Sequence, residues 1–288
     1  MRIQTRALKA IHDYMFEKDV THIMPVIMST FTDPLSHKVG DAEIMYKGQR
    51  LKITKSLMPF KSLVLSALES EAIYTVSPCV RFEQETGTKR HLLEFSQVDI
   101  EMKDAKKKDF MQFMEDLIVF VFSAVKKDCK KELEQLGRSL RVPEAPFKVF
   151  DKPELVKKYG ADFETIVSKM EKGLFWILDH KREFYDKEDP EKIGSYLNYD
   201  LIYPEGFGEA LSGGEREYEY EQILSRMKRS SVDPAPYKAF LEVAKEGMLV
   251  PTSGGGFGVE RMVRYLAGAE RIEDAALFPK VPGRAVII

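Results

Sequence analysis

Apolar residues recur at helical spacing near the start of the chain. Ala7, Leu8, Ile11, Tyr14 and Met15 share one stripe, which predicts an amphipathic helix over residues 4–18. Residues 23–28 read as a short buried strand, which Pro25 confines to a sheet edge or to a strand that meets a partner subunit. Runs at 43–46 and 51–54 flank Lys47-Gly48-Gln49 and predict a hairpin. Pro59 stands where a proline opens a helix, here one running to about Ser70. Residues 73–81 and 92–102 form two strand-like runs joined by a polar loop, 84–89. The longest helical stretch is 109–136, with Phe110, Phe113, Met114, Leu117, Phe120 and Val121 on its buried face.

Residues 137–194 are less regular and rich in charge, and are expected to form an inserted or connecting helical subregion. Beyond them, 201–203 and 209–211 read as strands, and 217–229 and 236–246 as helices. The run Gly254-Gly255-Gly256-Phe257-Gly258 reads as a glycine-rich segment leading into a last helix from Val259. Strands cluster in two blocks around a long helix. This predicts an α+β fold with a mostly antiparallel sheet flanked by helices, since a doubly wound parallel sheet would alternate regularly.

Composition narrows the classes. A chain of 288 residues that is 44% hydrophobic and 31% charged is neither a disordered tail nor a disulfide-stapled miniprotein. Lys+Arg 44 against Asp+Glu 46 leaves a net charge of -2, which counts against a general nucleic-acid-binding module. Cys79 and Cys129 have no ligand-like spacing, and a reducing compartment is expected. The apolar run 117–125 is about half a membrane span, so a cytoplasmic protein without membrane association is expected.

Four constellations could carry chemistry. Arg81-Phe82-Glu83 and Arg90-His91-Leu92-Leu93-Glu94-Phe95 place arginine forks, a carboxylate and a stacking ring on adjacent strands. The same residues also read as an exposed cross-strand ion-pair ladder. The glycine run before Arg261 could let backbone approach an anion, or could be a tight turn. Glu209 and Ser212 offer hard oxygens of the kind Mg²⁺ accepts beside phosphates, with Arg216 after a Gly-Gly pair. Their bland reading is a strand end and loop with acidic residues at a helix start. Ser56 and Lys61 lie on the segment that enters the helix after Pro59, where a lone lysine is more often solvated surface.

In this order the segments resemble the catalytic domain of class II aminoacyl-tRNA synthetases, in the aspartyl/asparaginyl branch. The N-terminal helix and the strand at Pro25 resemble motif 1, the dimer-forming element. The Arg81 and Arg90 segments resemble motif 2, Gly256-Phe257-Gly258-Val259-Glu260-Arg261 resembles motif 3, and Phe278-Pro279-Lys280-Val281-Pro282-Gly283-Arg284 matches the family's tail. The resemblance spans nearly the whole chain, implying one catalytic domain over 1–288 and a homodimer. It implies that Arg81 contacts the ATP α-phosphate, Glu83 the adenine amine and His91 the phosphates, with Leu92 beside them. Phe95 and Arg261 would sandwich the adenine, and Glu209 and Ser212 would hold Mg²⁺. Arg216 would read the amino-acid side chain, with Ser56, Lys61 and Asp99 in its pocket. Met58 stands where the family usually carries glutamine, and Phe82 replaces a small residue.

Lys61 with Arg216 is expected to favour an anion, hence aspartate over asparagine. Motif 1 begins almost at Met1. An N-terminal anticodon-binding barrel is therefore not expected, and tRNA binding is expected to be weak. The pattern then resembles the archaeal asparagine synthetases related to asparaginyl-tRNA synthetase, which implies that aspartate, ATP and ammonia give asparagine, AMP and pyrophosphate through an aspartyl adenylate. Truncated tRNA synthetases, or paralogues with another acceptor, remain the alternative. Under the first reading the β-carboxylate is activated, Arg81 and Arg261 stabilise phosphate charge, and Glu217 is the candidate that deprotonates ammonium. Glu217 reads equally as a helix N-terminal charge.

Overall fold

The computed structural model describes residues 1–37, 39–84 and 86–285. Glu85, in the expected 84–89 loop, lies outside them, as do Lys38 and residues 286–288. Eight strands among the described residues build the main sheet. In chain order they are β1 Thr21–His22, β2 Ala72–Val80, β3 Glu94–Lys103, β4 Lys148–Asp151, β5 Phe175–Leu178, β6 Asn198–Tyr203, β7 Gly208–Glu215 and β8 Thr252–Gly258. Across the sheet they run β1-β2-β3-β8-β7-β6-β5-β4. The inner pairings are antiparallel, and only the β1–β2 and β5–β4 pairs at the two edges are parallel. This is the expected α+β fold with a mostly antiparallel sheet.

The two faces of β3 show how the fold divides its labour. Val98 and Ile100 turn to one side and join the main core beneath helices Arg2–Glu17, Lys107–Asp128 and Val259–Ala267. Gln97, Asp99 and Glu101, offset by one residue, turn to the other side, and they are buried too. One strand therefore carries an apolar core face and a buried polar face. Ile11, Phe110, Leu117, Val121 and Leu266 pack on the apolar side, each such burial contributing about 1.5–3 kcal/mol.

Several elements differ from expectation. The glycine run is not a loop but the central strand β8, and Gly213-Gly214 lie inside β7. The reason is steric. A Cβ on Gly254 would sit 2.0 Å from Glu101 Oε2, and one on Gly256 would sit 2.3 Å from Gln97 Nε2. Glycine makes room for the polar side chains of β3 between neighbouring strands. Residues 23–27 form no strand, and Met24 and Ile27 are exposed. The edge position expected near Pro25 is taken instead by β1. The long helix ends at Asp128, and a short helix, Lys130–Gln135, follows Cys129. Within 137–194 lie the sheet strands β4 and β5 as well as the helices Lys152–Tyr159 and Phe163–Met170, so this region is built into the sheet. Among the described residues no helix is long and apolar enough to cross a membrane.

Candidate active site

A cavity of about 430 Å³ opens on the polar face of β3, β8 and β7. It is lined by Ser56, Lys61, Arg81, Glu83, His91, Leu92, Phe95, Asp99, Glu209, Ser212, Arg216 and Arg261. Segments far apart in the chain thus converge on one space.

One end is dominated by guanidinium groups. Arg81 donates through Nε to the Lys55 carbonyl at 2.9 Å, and its guanidinium carbon lies 5.0 Å from the Phe95 ring centre. Arg261 Nη1 donates to Glu209 Oε1 at 2.9 Å. Burial alone would raise the Glu209 carboxyl, but Arg261, Arg182, Arg90 and Arg81 outweigh it and hold the group well below the usual carboxylate range. Arg182 is paired with Asp200 and Arg90 with Glu164 as well, while Arg81 makes no ion pair among the described residues and is left to meet an anion. Burial, followed by the charge of Arg261, pushes His91 down to about 4, so it is neutral at physiological pH. Glu83 lies 3.4 Å from His37 at the cavity rim.

The other end corrects the expectation of free positive charge. Lys61 Nζ lies 3.2 Å from Asp99 Oδ1 and 3.1 Å from Glu101 Oε2. Arg216 donates through Nε to Glu101 Oε1 and through Nη1 to Asp186 Oδ1, both at 3.0 Å. All five side chains are buried. An uncompensated lysine or arginine at such depth would cost several kcal/mol, so the fold supplies counter-charges. Two cations face three carboxylates, and the Asp99 Oδ2 atom has no partner among the described residues. Arg216 and Lys61 overcome burial to keep Glu101 below its usual range. This alternation matches a ligand carrying both an ammonium and a carboxylate better than a simple anion.

Glu217 is the sequence candidate that the structure leaves outside. It is absent from the lining, and its Oε1 accepts from the backbone N–H groups of Tyr218 and Glu219 just before the helix Tyr220–Arg229. Its carboxylate is spent on local backbone, the helix-start reading weighed above.

A family model described as tRNA synthetases class II (D, K and N) matches residues 1–282. The chain belongs to this family. It is 27% identical to the asparagine–tRNA ligase of Pyrococcus abyssi, over 99% of this chain and 68% of that protein. It is 29% identical to the aspartate–tRNA(Asp/Asn) ligase of Methanopyrus kandleri, over 97% and 67%. Among solved structures, asparaginyl-tRNA synthetase from Pyrococcus horikoshii complexed with asparaginyl-adenylate superposes with a TM-score of 0.90 at 25% identity, covering 100% of this chain and 69% of that one.

Magnesium is implied by the family, and the residues here fit it in kind. Glu209, Ser212 and the neighbouring Asp200 supply hard oxygens, and Asp200 Oδ1 is buried with no partner among the described residues. Among the described residues no group of three or more His, Cys, Asp or Glu side chains is arranged to hold a metal, so phosphate oxygens would have to complete the shell.

This class II site also holds residues that no motif announced. Asp33 lines it and accepts from the Tyr185 hydroxyl through both oxygens at 3.0 Å. Burial, with help from Glu183, raises the Asp33 carboxyl to about 6. Arg182, Glu183, Tyr185 and Asp186 enter from the irregular region after β5. Their only signal in the sequence is charge interleaved with aromatics, Arg182-Glu183-Phe184-Tyr185-Asp186. Met58, at the expected glutamine position, is buried against Phe31, Phe184 and Tyr185 and gives the cavity an apolar wall.

Proposed function

We propose that this protein couples ATP to the activation of aspartate as an acyl adenylate, releasing pyrophosphate, and then passes the aspartyl group to an acceptor. The observation that carries this reading is that one cavity combines a four-arginine end with a mixed-charge end. The first suits a triphosphate, and the second suits an amino acid with a second polar group. A carboxylate oxygen of aspartate attacks the α-phosphorus while the bond to pyrophosphate breaks. Arg81 faces the α-phosphate, Arg261 takes charge on the leaving group, and Phe95 supports the adenine ring. Glu83 accepts the adenine amine. Ser56 and Asp99 hold the amino acid, with Lys61 and Arg216 oriented by their carboxylate partners. Magnesium, held by Glu209 and Ser212, would neutralise phosphate charge when bound.

The relatives are tRNA ligases, and they support tRNA as the acceptor. The expectation against tRNA binding finds no support in them. Ammonia is the second reading. It is favoured by the carboxylate surplus at the amino-acid end, where Asp186 and Glu183 could attract ammonium. The exposed Phe16, Met24, Ile27 and Met28 of the motif 1 segment support the expected homodimer, and a cytoplasmic location accords with the family.

The decisive experiment is amino-acid-dependent ATP–pyrophosphate exchange. Exchange driven by aspartate supports the proposal, and the absence of exchange with aspartate overturns it. Product analysis with an ammonium salt or with tRNA then separates asparagine from aminoacylated RNA.

A further inference from the structure

Arg182 occupies the oxygens on which a metal would depend. Its Nη1 donates to Ser212 Oγ and its Nη2 to Asp200 Oδ2, and its side chain is only 15% exposed. Glu209 is engaged by Arg261. Asp200 Oδ1 is buried with no partner among the described residues, and only Oε1 of Glu209 is taken by an arginine. Arg182 also lines the cavity, with Arg81 and Arg261.

We propose that Arg182 is a resident counter-cation. It holds Ser212 and Asp200 in the nucleotide-free protein and turns onto the phosphates when a divalent ion enters with ATP. The inference rests on the ATP reading of this site and deepens it. A guanidinium and a divalent ion held together at Ser212 Oγ and Asp200 would repel strongly in this low-dielectric cavity, so the one displaces the other. Metal alone would have to expel Arg182 into a low-dielectric cavity already rich in arginine. Metal with triphosphate brings the anion on which Arg182 can settle. Metal binding and nucleotide binding are therefore coupled through this one side chain, which acts as a positioning residue.

The test titrates Mn²⁺ into the full chain by electron paramagnetic resonance, without nucleotide. Wild type should bind Mn²⁺ weakly, Arg182→Gln roughly tenfold more tightly, and Arg182→Lys, which keeps the charge, like wild type. Equal affinity in wild type and Arg182→Gln overturns the proposal. If Arg182→Gln fails to fold, the wild type decides through a crystal grown with Mn²⁺ and an α,β-methylene ATP analogue. Arg182 turned from Ser212 onto phosphate supports the proposal, and Arg182 still on Ser212 and Asp200 overturns it. The Mn²⁺ comparison uses no amino acid and no turnover. A failure of the activation reading would appear separately, as absent pyrophosphate exchange.

Discussion

The side-chain amide of Asn198 donates to Asp186 Oδ2 at 2.7 Å, while the other oxygen of that carboxylate accepts from Arg216. Asn198 is the chain's one asparagine, fully buried, and it also exchanges two hydrogen bonds with the His180 backbone at 2.7 Å. It thereby fixes Asp186, and through it Arg216. Asn198→Ala should cost about 2 kcal/mol of stability in denaturant titrations. It should also raise the KM for the amino acid in pyrophosphate exchange well above any change for ATP. An equal rise for both substrates would remove Asn198 from this chain of support.

Gly254 tests the packing of β8 against β3. Gly254→Ala forces a methyl to within 2.5 Å of the Ile100 carbonyl as well as onto Glu101, and should destabilise by about 3 kcal/mol or more. Gly173→Ala, where no atom lies within 4 Å of the added carbon, should stay within about 0.5 kcal/mol of wild type. Comparable unfolding midpoints for the two variants would contradict the steric account.

Lys61 serves the fold and the substrate at once. Lys61→Met leaves Asp99 and Glu101 facing each other with one fewer cation, at a cost of about 3–5 kcal/mol. Calorimetry should show amino-acid binding falling much further than ATP binding in this variant. A thermally unchanged protein would show that the buried ion pairs are not coupled to stability.

Asp33 gives a pH signature. Its folded carboxyl sits at about 6 because of burial, followed by the charge of Glu183. Between about pH 4 and pH 6 the native state keeps a proton that the unfolded chain has released. Stability therefore falls as pH rises through that window, by up to about 3 kcal/mol, and levels above it. Asp200, likewise raised to about 6, adds the same slope, and His91 and His180, lowered in the native state, add the opposite one, so a single profile mixes them. The difference between wild type and Asp33→Asn isolates Asp33. The variant should lose that share of the decline, and parallel thermal-midpoint profiles from pH 4 to 7 would refute the assignment.

The N-terminal helix, the hairpin and the strand pair β2–β3 were legible because each announces itself through local periodicity. The structure has them at Arg2–Glu17, at Glu43–Tyr46 with Gln49–Ile53, and at Ala72–Val80 with Glu94–Lys103. The glycine run was misread because glycine's local preference is for turns. Only the neighbouring strands show that Gly254 and Gly256 must lack side chains to admit Glu101 and Gln97. Glu217 could serve either ammonium or the helix start by its sequence alone, and its carboxylate serves the backbone of the helix start.

The sequence by itself determined the family pattern, the α+β class and the residue types able to hold phosphate, adenine and amino acid, since motif order and side-chain chemistry are written along the chain. Only the tertiary structure decided how the charges are spent. Glu101, Asp186 and Arg216 come from three segments more than a hundred positions apart at the extremes, and Arg182 meets Ser212 and Asp200 from 30 and 18 positions away. Compensation of buried charge depends on distance in space, and separation along the chain does not encode it.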